Sequence, residues 1–307
     1  SSLPEVMRVL TSPAETGTVT LCLPQDVQAE AFDFPVHLFQ KRVWKIQRPR
    51  PDLSQLAMAA ALIQESHKPL MVVGGGAHYS EALEVLKKFV NKTGIPVAET
   101  FAGKGALRYN NPHNLGAIGA TGTIGAVEMA READLVIGIG TRYSDFTTAS
   151  KTAFQHPEVK FININICELD TAKHGGMMLQ GDAKVTLEEL QTLLGDFKIN
   201  KDHRQKARKF NEQWDKRVDE VYDYRHGKGL SQGEIIGAVN NFSDENDVMI
   251  SAAGSLPGDL HKLWKTKNSK GFHLEYGNSC MGYEIAGGLG AKMADPTREI
   301  YVMIGDG

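Results

Sequence analysis

At 307 residues, with 41% hydrophobic and 23% charged side chains, the chain has the composition of a globular protein of more than one domain. Lys and Arg number 34 against 37 Asp and Glu, so the net charge is −3 and the pI about 6.4, which excludes the basic surface of a nucleic-acid binder. No apolar run is long enough to make a membrane span, and three distant cysteines (Cys22, Cys167, Cys280) exclude a disulfide framework or zinc site and suit a reducing cytoplasm.

The opening SSLPEVMRVL lacks the basic and apolar regions of a signal peptide and has no initiator Met, so the chain is expected to be an internal fragment. TVTLCL, residues 18–23, predicts a strand, and residues 1–39 read as the tail end of a preceding domain. QKRVWKIQRPRPDLS, residues 40–54, carries two prolines and many charges and reads as a linker into the next unit.

An α/β alternation follows. Helical periodicity covers 53–67; a strand over 70–73 ends in Gly74-Gly75-Gly76; an amphipathic helix over 80–92 closes at Gly94. Then come a strand over 95–98, a glycine-rich loop, a helix over 123–132, strands over 135–139 and 159–166, and a helix over 185–194. This order predicts a complete, doubly wound parallel-sheet domain over residues 40–197. Residues 198–230 mix both charge signs on a helical pattern and read as a solvated linker helix bridging two domains. After them a second α/β unit, 231–307, has a helix over 231–241, strands over 248–251 and 300–304, and a helix over 280–294.

Glycine is the unusual total: 31 residues, about a tenth of the chain, clustered just after strand-like runs, where backbone amides can approach a phosphate. VVGGGAHYSEA resembles a dinucleotide turn but has Tyr79 where the third glycine belongs, so a tight structural turn is the default. Arg142 and Asp145 follow the 135–139 strand, as ligand groups or as a pair tying the loop down. His113, His156 and His174 show no metal-ligand spacing and default to surface or capping roles. SAAGSLPGDL offers turn amides and the Ser255 hydroxyl to an oxyanion. EYGNSCMGYEIAGGLGAKMA enters a helix of small residues, and the terminal Gly305-Asp306-Gly307 puts a carboxylate at a strand end, where it can ligate Mg²⁺. Each is weak alone; three such loops at one edge of one sheet are far stronger.

In this order the stretches resemble thiamine-diphosphate-dependent enzymes of the acetolactate synthase and pyruvate oxidase type. TVTLCLPQDV is similar to the close of that family's pyrimidine-binding domain, VVGGG and GIPVAETFAGKGAL to its central domain, and CMGYEIAGGLGAKMADP with IGDG to its pyrophosphate-binding domain. The resemblance implies a truncated thiamine-diphosphate-binding α/β domain with thiamine diphosphate and Mg²⁺ as cofactors. It implies that Ala253, Gly254 and Ser255 hold the diphosphate, that Cys280, Met281 and Gly282 lie against the aminopyrimidine, and that Asp306, between Gly305 and Gly307, ligates the metal. Glu284 is a candidate supporting residue. The activating glutamate is expected in a domain absent here, so no catalytic side chain is assigned and the fragment alone is expected to be inactive.

The nearest likeness is to family members that hydrolyse a C–C bond of a cyclic 1,2-dione in inositol degradation. Carboligation or decarboxylation of 2-oxo acids on the same cofactor stays open, as does a non-catalytic nucleotide-binding module. A small-molecule substrate, a homodimer or tetramer of the full-length enzyme, a cytoplasmic location, and no nucleic-acid or membrane partner complete the expectation.

Overall fold

The computed structural model describes residues 2–225, 227, 229–275 and 277–305. It divides into two units, residues 1–49 and 50–307. Among the described residues no helix is long and apolar enough to cross a membrane.

The first unit holds helices α1 (Ser2–Thr11) and α2 (Gln25–Gln28) and a 3-10 turn at Val36–Phe39, none with a buried residue. The strand predicted over 18–23 does not form. Those residues are almost wholly exposed, and no described residue pairs with them. An apolar run becomes a strand only where a neighbour takes its N–H and C=O groups.

The second unit begins with α3 (Leu53–Glu65), started by Asp52, whose carboxylate accepts from the Ser54 and Gln55 amides. There follow β1 (Pro69–Val73), α4 (Gly76–Tyr79), α5 (Leu83–Thr93), β2 (Val97–Glu99), β3 (Asn114–Ala117), α6 (Ile124–Glu132) and β4 (Leu135–Ile139). After these come α7 (Asp145–Thr148), β5 (Lys160–Asn165), α8 (Glu168–Thr171), β6 (Met177–Gln180), α9 (Ala183–Leu194) and α10 (Lys201–Asp223). The six strands are parallel in the order β3-β2-β1-β4-β5-β6, the doubly wound arrangement that the alternation predicts. Every residue of β1 and β4 is buried, because helices cover both faces. Leu56, Ile63, Leu86, Phe89, Leu187 and Leu190 fill one face; Met129, Ala130, Val136, Phe161 and Ala207 fill the other.

The crevice between β1 and β4, where a dinucleotide would sit in such a sheet, is closed by backbone. Gly74 N donates to Ile139 O and Gly76 N to Gly140 O, both at 2.9 Å. A Cβ on Gly74 would lie 2.5 Å from Gly140 O, and one on Gly140 (φ +57) would lie 2.5 Å from Gly76 Cα. The glycines of this turn serve loop-against-loop packing, and the first amide of α4 already has its acceptor.

Helix α10 runs alongside both sheets. His203 Nε2 meets Pro69 O at 3.1 Å and Asn211 Nδ2 donates to Asn114 O; further along, Trp214 Nε1 donates to Lys262 O at 3.1 Å and Tyr222 OH to Leu263 O at 2.6 Å. A helix with so much charge stays put because its few buried groups are anchored at both ends.

Beyond it lie α11 (Gln232–Phe242), β7 (Val248–Ser251), α12 (Leu256–Leu263), β8 (Phe272–Leu274), α13 (Tyr283–Ala294) and β9 (Ile300–Val302). Ser231 and Glu234 close a capping box on α11. The second sheet is also parallel, in the order β8-β7-β9.

Several boundaries differ from the pattern. The helix predicted over 80–92 begins only at Leu83, as α5, and the separate short α4 precedes it. The one predicted over 280–294 starts at Tyr283, because Gly282 at its N-cap has φ +85. The last strand is shorter than 300–304, and β2 begins two residues later than predicted. Strands β3, β6 and β8, three or four residues each, carry too few residues for a periodic signal. Helix α12 opens Leu-Pro-Gly, which reads as a turn, yet Pro is tolerated in a helix's first turn.

The Gly74–Gly140 contact makes a test. Gly140→Ala should cost about 3 kcal/mol or more through left-handed strain plus overpacking. Gly175→Ala, at φ +61 with nothing within 4 Å, should cost only about 1–2 kcal/mol. Urea unfolding of both variants measures the difference; equal losses would contradict the packing role.

Candidate functional site

Because β7, β8 and β9 are parallel, the turns after all three leave the same edge of the sheet. β7 leads into Ala252, Ala253, Gly254 and Ser255; β8 into Glu275 and on to Cys280, Met281 and Gly282; β9 into Met303, Ile304 and Gly305. Backbone bonds stitch this edge: Glu275 N donates to Ser251 O at 3.2 Å and Met303 N to Ile250 O at 2.9 Å. The first two predicted loops and Gly305 of the third therefore follow strand ends on one edge. Asp306 and Gly307 lie outside the described residues.

The first turn is open to solvent. Gly254 has φ +89, a conformation that favours glycine, with nothing within 4 Å of where a Cβ would stand. Gly254 and Ser255 are exposed, and among the described residues neither backbone amide has a partner. Ala253 differs. Its amide donates at 3.0 Å to Glu284 Oε1, which also accepts from Ala252 N at 3.1 Å. The donors left for an anion are therefore those of Gly254 and Ser255, not Ala253.

In the second turn Met281 is 86% exposed, as an apolar side chain is when nothing in the unit covers it. The turn is shaped by Glu275, a residue the motif reading passed over. Its Oε2 accepts from Cys280 N at 3.0 Å and its Oε1 from Asn278 N at 3.1 Å. These amides, that of Cys280 foremost, hold the Glu275 carboxyl below its usual range. Desolvation first, and the Glu275 charge second, push the Cys280 thiol up, which favours its protonated form. An acidic residue just ahead of a Gly-Asn-Ser turn was the available signal. His273 Nε2 and Tyr283 OH, 2.6 Å apart, tie β8 to the start of α13.

Helix α12 is fixed from the other side. His261, fully buried, stacks on Phe101 with ring centroids 4.2 Å apart. Its Nε2 lies 2.9 Å from Glu99 O, and its Nδ1 lies 2.9 Å from Thr121 Oγ1. A carbonyl only accepts, so Nε2 carries the proton and Nδ1 takes the Thr121 hydroxyl proton in its hydrogen bond. Burial, reinforced by the nearby Lys104 charge, drives the His261 pKa down to about 3, and the ring stays neutral. Lys104, itself buried, is lowered to about 8 by desolvation against the partial support of Glu99; its ammonium lies 5.5 Å from the centre of the Phe272 ring on β8. None of these was singled out in the sequence, since their partners are more than a hundred residues away or on other elements.

The remaining candidates are placed elsewhere. Arg142 and Asp145 form no ion pair with each other among the described residues; Asp145 accepts from Ser150 Oγ, and Arg142 O accepts from Lys173. His174 stacks on Phe161 at 4.7 Å inside an aromatic cluster with Tyr143 and Phe154. No group of three or more His, Cys, Asp and Glu side chains that could hold a metal exists among the described residues.

A doubly wound domain followed by a parallel sheet with open, glycine-bearing turns along its carboxyl edge defines a cofactor-binding α/β protein. Residues 56–190 match the central domain of thiamine pyrophosphate enzymes, and residues 252–307 match their C-terminal TPP binding domain. The chain belongs to the thiamine pyrophosphate enzymes. It is 45% identical over 330 residues to 3D-(3,5/4)-trihydroxycyclohexane-1,2-dione hydrolase 1 of Bacillus cereus, across 99% of this chain and 51% of that protein. A 3D-(3,5/4)-trihydroxycyclohexane-1,2-dione hydrolase from Bacillus thuringiensis (strain Al Hakam) is 45% identical over 331 residues, and one from Bacillus anthracis 44% over 327, with the same coverage. The chain thus spans about half the length of the curated relatives it matches.

The neutral state of His261 sets a pH dependence. Its folded pKa lies below the unfolded value of about 6.5, so the unfolded chain binds the extra proton and stability is lost as pH falls from about 6.5 towards 3. His261→Gln should be less stable at pH 7.5 yet lose less stability on acidification, the difference approaching about 1.4 kcal/mol per pH unit within that window. Urea unfolding at several pH values checks this, and identical slopes would contradict a buried neutral His261.

Proposed function

We propose that this chain forms the central and diphosphate-holding parts of a thiamine diphosphate- and Mg²⁺-dependent hydrolase that breaks a C–C bond of a cyclic 1,2-dione, opening the ring to 5-deoxyglucuronate in inositol catabolism. The observation that supports it is that β7, β8 and β9 end on one edge of the second sheet, at the start of and within the stretch that matches the family's TPP binding domain. The whole-chain similarity to dione hydrolases supports the substrate class over carboligation of 2-oxo acids. The nucleotide-module reading is disfavoured, because the glycines at 74–76 and 140 pack against each other.

The open left-handed Gly254 and the unpartnered Gly254 and Ser255 amides fit an oxyanion such as a diphosphate. Main-chain groups of Cys280, Met281 and Gly282, shaped by Glu275, would face the aminopyrimidine, and Asp306, flanked by Gly305 and Gly307, would hold Mg²⁺ against the diphosphate. Thiamine diphosphate, when bound, supplies a carbon nucleophile and an electron sink for cleavage beside a carbonyl. The chain's own part is to fix the diphosphate end, neutralise its charge through the metal site and keep the turn geometry rigid. We assign residues 1–39 to the end of the pyrimidine-binding domain, 40–197 to the central domain, 198–230 to the bridging helix and 231–307 to the pyrophosphate-binding domain. The intact enzyme is a cytoplasmic homodimer or tetramer in this reading.

Asp306→Ala in the intact protein should abolish Mg²⁺-dependent binding of thiamine diphosphate, read by calorimetry with and without a chelator. Undiminished binding would remove Asp306 from the metal site. Turnover of the cyclic dione but not of pyruvate separates hydrolysis from carboligation.

A further inference from the structure

Glu284 is 1% exposed, on the first turn of α13, and reaches from that helix to the strand end of β7. One carboxylate oxygen accepts from both Ala252 N and Ala253 N; the other, Oε2, is buried without a partner. A carboxylate beside a turn meant for an anion has the wrong sign for direct binding. Its geometry gives a different role. By engaging the first two amides of the turn, it fixes the peptide planes leading into Gly254 and leaves exposed only the Gly254 and Ser255 amides. Both groups it holds are backbone donors, so the clamp depends on an oxygen acceptor at that point and not on the side chains of the alanines. The same carboxylate couples α13, which follows the Cys280-Met281-Gly282 turn, to the turn after β7.

We propose that Glu284 is a positioning residue that presets the diphosphate turn and links it to the 280–282 turn. This rests on the reading of Gly254 and Ser255 as diphosphate donors. A bound diphosphate gains from donors already in place, because no ordering of the turn is then subtracted from its affinity. Glu284 therefore acts through the turn and not by touching the ligand.

The test uses the intact protein with thiamine diphosphate and Mg²⁺ as probe, followed by calorimetry, with amide exchange at Ala252 and Ala253 as a readout independent of activity. Glu284→Ala should expose both amides to exchange and weaken cofactor binding by about 10-fold or more, with the KM for substrate little changed. Glu284→Gln, which keeps an oxygen in place, should restore protection and bring affinity back to within about 3-fold. Should Glu284→Ala fail to fold, Glu284→Asp, whose shorter arm cannot reach both amides, should show the same loss. Faster exchange at 252 and 253 with undiminished cofactor affinity would overturn the proposal. Gly254→Val tests the underlying reading separately: if that variant binds the cofactor as tightly as the parent, the turn is not the diphosphate site. If Gly254→Val loses binding while Glu284→Ala keeps it, only the role of Glu284 falls.

Discussion

The site depends on the parallel pairing of β7 with both its neighbours. Val248, Met249 and Ile250 face Ile300, Tyr301 and Val302 on one side, and Met249, Ile250 and Ser251 face Phe272, His273 and Leu274 on the other. Had either neighbour run antiparallel, one turn would have emerged at the opposite end, and the three would share no edge. Short strands suffice because their hydrogen bonds are backed by a cluster of Met249, Leu260, Trp264, Phe272, Leu274 and Met303. About 25 cal/mol per Å² of apolar surface removed from water, summed over such side chains, far outweighs what three-residue ladders contribute alone.

Two carboxylates then turn a generic sheet edge into shaped loops. Glu275 gathers the amides of Asn278 and Cys280, and Glu284 those of Ala252 and Ala253. In each case a side chain does what a helix or a sheet cannot, which is to satisfy N–H groups in an irregular turn, exposed ones for Glu275 and buried or half-buried ones for Glu284. The neutral His261 holds α12 to the end of β2 and to the loop after β3 by the same logic. It satisfies a carbonyl and a hydroxyl at once while stacking on Phe101, so the helix that follows the first turn is tied to the six-stranded sheet.

The strand–turn–helix punctuation was legible in the residues. β4 and β7 fall where the apolar runs predict them, α6 and α9 begin at Thr123 and Asp182 caps, and α10 bridges the two sheets. The absence of a strand at 18–23 has a clear physical cause, since among the described residues no neighbouring strand takes its N–H and C=O groups. Strands β3, β6 and β8 were not read, because their stability comes from the sheet beside them and not from a local apolar pattern. That the turns after β7 and β8 leave one edge of a sheet was legible from order and glycine placement. Which of their amides are free was not.

By itself, then, the sequence determined the class: alternating apolar strands and capped helices demand a covered parallel sheet, and glycines after strands mark tight turns there. Tertiary structure decided who touches whom. It showed that Gly74 and Gly140 fill a crevice, that Glu284 occupies the Ala253 amide, and that His261 must be neutral. These outcomes depend on groups brought together from distant parts of the chain, and no local preference encodes such meetings.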